Sequence, residues 1–241
     1  MKRSSRTNRQ IKRNINGLLG RQKKESVYAP ADAAFHVMAA FVAILLPLSL
    51  VALAGNAILR VPDLMAFEAD RSGVPAELGI EGTPSAVAEE ITGFINHKND
   101  EPDIPALSGA DKVNLIKIRA LLDKSLFPSL LSFTVSIALF VFVRAMGRRR
   151  YLRVALNTSL ALFACAVCFT LALALIPPFR DAVFAWQPGI GFEEGDVLPR
   201  LFGGLYPIFS AGAICLISFI IYITLYSFLK RFTVEEEKMF K

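Results

Sequence analysis

Residues 111–124, DKVNLIKIRALLDK, place a carboxylate and an amide where a helix should be apolar. At 100° per residue, Leu115, Ile118, Leu121 and Leu122 form one apolar arc, opposite Lys112, Lys117, Arg119, Asp123 and Lys124. Asp111 and Asn114 fall inside the apolar arc. A carboxylate can accept a proton or several hydrogen bonds, whereas an amide can donate and accept but take no proton. The other reactive groups are sparse. The chain has two imidazoles, His36 and His97, and three thiols, Cys165, Cys168 and Cys215. Cys165 and Cys168 have C-x-x-C spacing, but both sit within an uncharged apolar run, where they read as small, buried packing residues. With every cysteine in such a run, no disulfide framework is expected. Two histidines make no metal constellation, and neither a phosphate-cradling glycine loop nor a G-x-S-x-G elbow occurs. No metal and no cofactor is expected.

The elements that must position these groups are membrane spans. The chain is 54% hydrophobic with a mean hydropathy of +0.45, and the excess is gathered into long runs. Four of them are long enough to cross an apolar layer of about 30 Å: 33–59, 126–143, 154–177 and 203–229. The first is too long for the apolar core of a signal peptide and reads as a retained helix. Pro47 and Pro207 are expected to kink their helices. No Asp, Glu, Lys or Arg lies deep inside a span, which argues against a channel, proton pump or secondary transporter. His36, near the start of the first span, reads as an interfacial side chain.

Charge orients the spans. Residues 1–30 hold nine Lys/Arg against Glu25 alone, and the loop 144–153 holds Arg144, Arg148, Arg149, Arg150 and Arg153 with no acid. Residues 60–125 carry seven basic and twelve acidic groups, and 178–200 carry two and four. The positive-inside rule then puts both termini in the cytoplasm. The basic tail 1–32 is expected to lie against anionic lipid rather than nucleic acid. The expected architecture is an all-α integral membrane protein with four transmembrane helices, both termini inside. A mainly helical extracytoplasmic cap, 60–125, joins helices 1 and 2; an outer loop, 178–202, joins helices 3 and 4; and the chain ends in a cytoplasmic tail, 230–241. Within the cap, 60–84 reads as loop, and 85–98, SAVAEEITGFINHK, reads as a helix capped by Ser85 with Glu89 and Glu90 near its start. After the turn NDEPDIPALSG comes the amphipathic helix of 111–124, lying over the membrane or over a groove between spans.

Four stretches carry a family resemblance: FINHKND (94–100), DKVNLIKIRALL (111–122), PPFRDAVFAW (177–186) and GDVLPRLFGGLYP (195–207). Together with the loop sizes and topology, they resemble the lipoprotein intramolecular transacylase family of bacterial membrane proteins. The resemblance implies transfer of an acyl chain from the glyceryl group of a diacylated lipoprotein to the α-amine of its N-terminal cysteine. It also implies membrane lipid and lipoprotein as partners, and the bacterial cytoplasmic membrane as location. Asn114 and Arg180 stand at the family's two histidine positions, Lys117 at its aspartate, and Asp111 keeps a carboxylate three residues before the first histidine position.

These departures set the chemistry. An amine attacking an ester needs a proton acceptor and a donor or cation for the oxyanion. Asn cannot take a proton, and Arg stays charged. The base would have to be His97, Asp111 or Asp181, with Arg180 on a phosphate or oxyanion and Asn114 donating to a carbonyl. The alternative is a non-catalytic relative that binds lipid, a lipoprotein or a membrane partner. A generic four-span structural or transport component is a third possibility.

Overall fold

The computed structural model describes residues 32–72, 83–101, 104–105, 107–179, 196–201 and 204–233. The chain is an all-α integral membrane protein: among the described residues four helices are long and apolar enough to cross a membrane. They are α1 (Asp32–Ile58), α4 (Gly109–Ala145), α5 (Arg149–Leu175) and α7 (Tyr206–Arg231). Three shorter helices, α2 (Pro62–Ser72), α3 (Pro84–Ile95) and α6 (Val197–Leu201), gather over one end as a cap.

The amphipathic stretch is not a separate surface helix. It is the first third of α4, which runs unbroken through the expected boundary at 125/126 for 37 residues, about 55 Å. Ser108 starts it with a capping box: its hydroxyl accepts from the Asp111 N–H, while the Asp111 side chain accepts from the Ser108 N–H. Nothing between the capping box and Pro128 interrupts the helical pattern, so one rigid rod carries the cap into the apolar layer.

Residues 62–72, expected to be loop, form α2. Pro62 opens it, Asp63 sits in its first turn and Arg71 in its last, the arrangement a helix dipole favours. Its inner face is Met65, Glu68 and Ala69, each at most 1% exposed. The carboxylate in the middle of that stripe hides the apolar period from sequence. Helix α3 is capped by Thr83 rather than Ser85; the Thr83 hydroxyl accepts from Ala86 N–H and shares a 2.9 Å hydrogen bond with Ser85 Oγ.

Two cores result. The cap core joins Met65 and Ala69 of α2, Ile91 and Phe94 of α3, Leu115 and Leu122 of α4, Leu198 of α6 and Tyr206 of α7. The bundle core joins Val42 and Leu46, Phe140 and Val143, Leu152 and Leu156, and Tyr222. Inside it the Tyr222 ring stacks on Phe163 at 4.2 Å, and its hydroxyl donates to Ser159 Oγ at 2.9 Å. This meets the demand that a polar group in an apolar layer be paired. The bundle core lies away from the cap. Towards the cap, α4 has no buried residue between Leu122 and Ser136, and α5 has none beyond Phe163. The spans therefore leave large apolar side chains open at the cap end, with Phe127 70% and Leu130 53% exposed.

Two expectations about the spans change. Pro207 lies in the first turn of α7, where its missing N–H costs nothing, so it begins that helix rather than kinking it. Cys165 and Cys168 are exposed on α5 rather than buried in protein packing, and Cys215 is partly buried. His36 is exposed and meets the Tyr151 ring edge-on at 4.5 Å.

Candidate functional site

The two inward-facing polar residues of α4 are buried as the helical wheel requires: Asp111 is 0% and Asn114 3% exposed. Leu121, by contrast, faces outward. Asp111 is occupied by structure. Its Oδ2 accepts from Ser108 N–H at 3.2 Å, Ser108 hydroxyl at 3.1 Å and Val197 N–H at 3.1 Å. Its Oδ1 accepts from Leu198 N–H at 3.1 Å. One carboxylate thus serves the N-termini of both α4 and α6, where unpaired N–H groups and the helix dipoles attract negative charge. Asn114 lies one turn further on, next to Leu115 in the cap core.

A second buried carboxylate does the same for the last span. Glu68 on α2 accepts from Arg71 Nε at 2.9 Å and Nη2 at 2.6 Å, and its Oε1 also accepts from Leu205 N–H at 3.1 Å. Leu205 is the N-cap of α7. The Arg71 guanidinium holds the Glu68 carboxyl below its ordinary range; burial pushes the other way, and the Leu205 N–H adds to the lowering. The approach is so close that Gly204, at φ +55°, has no room for a Cβ beside the Glu68 carboxylate.

His97 does not join Asp111 and Asn114. It follows α3 at φ +59°, the one described non-glycine residue with positive φ, and is 57% exposed. Its Nε2 lies 2.9 Å from Asp123 Oδ2. The other oxygen of Asp123, Oδ1, accepts from Arg60 Nη2 at 2.7 Å. Arg60 is itself fixed: Nε donates to Asn56 Oδ1 at 2.9 Å and Nη1 to Ile95 O at 3.0 Å. Asn56 Nδ2 in turn donates to Leu122 O at 2.6 Å, tying the end of α1 to α4. Asp123 is held below its ordinary carboxyl range first by Arg60, with burial opposing and His97 reinforcing.

Asp123 lies nine residues beyond Asn114 on the same helix, about 13 Å along its axis. It comes just before the apolar run from Leu126, as Arg60 comes just after α1. The His97, Asp123 and Arg60 cluster therefore marks the border between cap and apolar layer. Sequence reasoning missed Asp123 and Arg60, placing Asp123 on the solvated face. The available signal was opposite charges at the same end of two neighbouring spans. Arg180 and Asp181 lie outside the described residues. Tyr206 is buried in the same cap core as Leu115. Among the described residues no three His, Cys, Asp or Glu groups converge as a metal site.

No family model matches the sequence, and no curated protein matches it. Solved structures do. The fold is similar to the membrane integral lipoprotein intramolecular transacylase Lit from Bacillus cereus. One histidine-to-alanine variant superposes with a TM-score of 0.64 at 16% identity, over 86% of this chain and 98% of that one. A histidine-to-arginine variant gives 0.61 at 14% identity, over 87% and 96%, and a further structure gives 0.59 at 15%, over 84% and 97%.

Proposed function

We propose that this chain moves an acyl chain within a diacylated lipoprotein, from the glyceryl group to the α-amine of the N-terminal cysteine, at the outer face of a bacterial cytoplasmic membrane. The observation that carries the reading is the fold match over nearly the whole length of a transacylase, cap included. The apolar surface just below the cap supports it: Phe127, Leu130 and Leu131 of α4 are exposed there, where acyl chains of the leaflet can lie against them. The Arg-rich loop between α4 and α5 and the basic tail orient the cap outward by the positive-inside rule. Membrane lipid and diacylated lipoprotein are the partners this reading requires.

The test is expression in a bacterial strain whose lipoproteins are only diacylated, followed by mass spectrometry of lipoprotein N-termini. An N-acylated, lyso-glyceryl product is expected; its absence despite good membrane expression would sink the reading. A second reading, a non-catalytic relative that holds lipid or lipoprotein, is favoured by the commitment of Asp111 to helix capping and by the amide at Asn114. It requires lipid or a protein partner to remain bound after gentle solubilisation.

A further inference from the structure

We infer that His97 is the proton acceptor of this site and that Asp123, braced by Arg60, is its positioning residue. This rests on the acyl-transfer reading. It moves the reacting centre from the buried Asp111 and Asn114 face to the border between cap and membrane.

The geometry carries the assignment. Asp123 bridges a fixed guanidinium and an imidazole, with Oδ1 on Arg60 at 2.7 Å and Oδ2 on His97 at 2.9 Å. Beside Arg60 the carboxylate stays ionised and can only accept, so neutral His97 must carry its proton on Nε2. The lone pair is then on Nδ1, the nitrogen not used by Asp123. An imidazole with one nitrogen fixed by a carboxylate is the arrangement a general base needs. The charged groups around it are Asp123 on α4, Arg60 after α1, Lys98 beside it in the chain and Arg119, which stacks on Phe94 at 4.1 Å. The left-handed backbone at His97 ends α3: Lys98 N–H donates to Gly93 O at 2.8 Å and His97 N–H to Phe94 O at 3.1 Å, a helix-terminating turn that holds the ring beside Asp123.

The position fits the substrate. Diacylglyceryl esters lie at the border between headgroups and acyl chains, where α1 ends and the apolar run of α4 begins. Phe127 and Leu131 follow Asp123 one and two turns further on and are exposed for acyl chains to lie against. In the transfer, the amine nitrogen attacks the ester carbonyl carbon and His97 Nδ1 takes its proton. The carbon–oxygen bond to glyceryl then breaks, and the same proton goes to the leaving glyceryl oxygen. An ester bond is exchanged for an amide, with no oxidant, reductant or further reactant.

The experiment uses the full chain in membranes and follows the rate of N-acyl product formation per folded molecule. His97→Asn is the main variant, because asparagine tolerates positive φ but cannot take a proton. Product should fall about a hundredfold or more at unchanged protein level. In Asp123→Asn the rate per folded molecule should fall about tenfold or more, because the amide no longer fixes the proton on Nε2, and Asp123→Glu should restore part of it. A purely structural role for Asp123 would lower the amount of folded protein without changing the rate per molecule. If the wild-type chain forms product and His97→Asn forms it equally fast, the assignment is overturned while the acyl-transfer reading stands. A wild-type chain that forms none overturns both.

Discussion

Helix α4 carries two aspartates twelve residues apart, and their surroundings give them opposite uses. Asp111 is 0% exposed and surrounded by the N–H groups of Ser108, Val197 and Leu198 together with the Ser108 hydroxyl. Every donor belongs to the start of a helix. Asp123 is half-exposed and shared between a guanidinium and an imidazole, so one partner can change its charge. A carboxylate enclosed by backbone donors fixes helix ends; a carboxylate between Arg and His sets a proton's position. Polar residues on an apolar arc draw attention in a sequence, yet here Asp111 serves as structure. The residue that looked like ordinary surface has the chemically responsive environment.

Breaking the first aspartate should have the largest effect. Asp111→Ala strands the buried N–H groups of Val197 and Leu198 and removes half of the capping box. Losses of this kind cost about 1–3 kcal/mol for each buried donor left unpaired, so a total of about 3 kcal/mol or more is expected. The detergent-solubilised variant should melt well below the wild type. A near-wild-type melting temperature would show that α6 does not depend on this carboxylate.

The Glu68 clamp comes next. Gly204→Ala puts a Cβ against the Glu68 carboxylate, within 3.0 Å of Arg71 Nη2, at a backbone φ that alanine disfavours. Strain in the left-handed region costs about 1–2 kcal/mol, and displacement of the buried Glu68 carboxylate from Arg71 and Leu205 adds to it. Thermal unfolding should fall by more than for Gly109→Ala, where a Cβ would meet nothing within 4 Å. Equal effects at the two positions would mean that the Glu68 contact to the α7 N-terminus contributes little.

The difference between the aspartates also marks what the sequence could disclose. Four spans and a helical cap follow from apolar run length and loop charge, which are local properties. The burial of Asp111 and Asn114 follows from helical period, also local. Besides Ser108, the partners of Asp111 are backbone groups 86 and 87 residues away, and no side-chain type announces a backbone N–H. Helix α2 was hidden because Glu68 interrupts its buried stripe; Arg71 balances its charge, and its second partner is the Leu205 N–H, 137 residues away. His97 could be singled out as an imidazole outside the apolar runs. Its pairing with Asp123 depends on a turn that reverses the chain after α3, and on a contact 26 residues apart.

Acid should act on both salt-bridged carboxylates in the same direction. Glu68 and Asp123 are held below their ordinary values near 4.5 and 3.8 when folded, by Arg71 and Arg60 respectively. Each lowered value favours the folded state above the unfolded-state value, and that stability is lost as pH falls through the folded one. Unfolding temperature should hold steady from neutrality to about pH 5 and then decline. Glu68→Gln should flatten that decline. A decline already under way between pH 7 and 5, unchanged in Glu68→Gln, would show that these two carboxylates do not set the acid limit.

The smallest effect runs against intuition. His97 occupies a left-handed backbone position that glycine adopts freely, while its exposed contact with Asp123 is of the kind worth about 0–1 kcal/mol. His97→Gly should therefore leave stability unchanged or raise it by about 0.5–1 kcal/mol, although it removes the imidazole altogether. If the variant gains stability and loses N-acyl product together, the strained residue is retained for what it does rather than for how the chain folds. If it loses stability by more than about 1 kcal/mol, the His97–Asp123 contact is a structural tie between α3 and α4. The two aspartates of α4 would then differ in exposure but not in purpose.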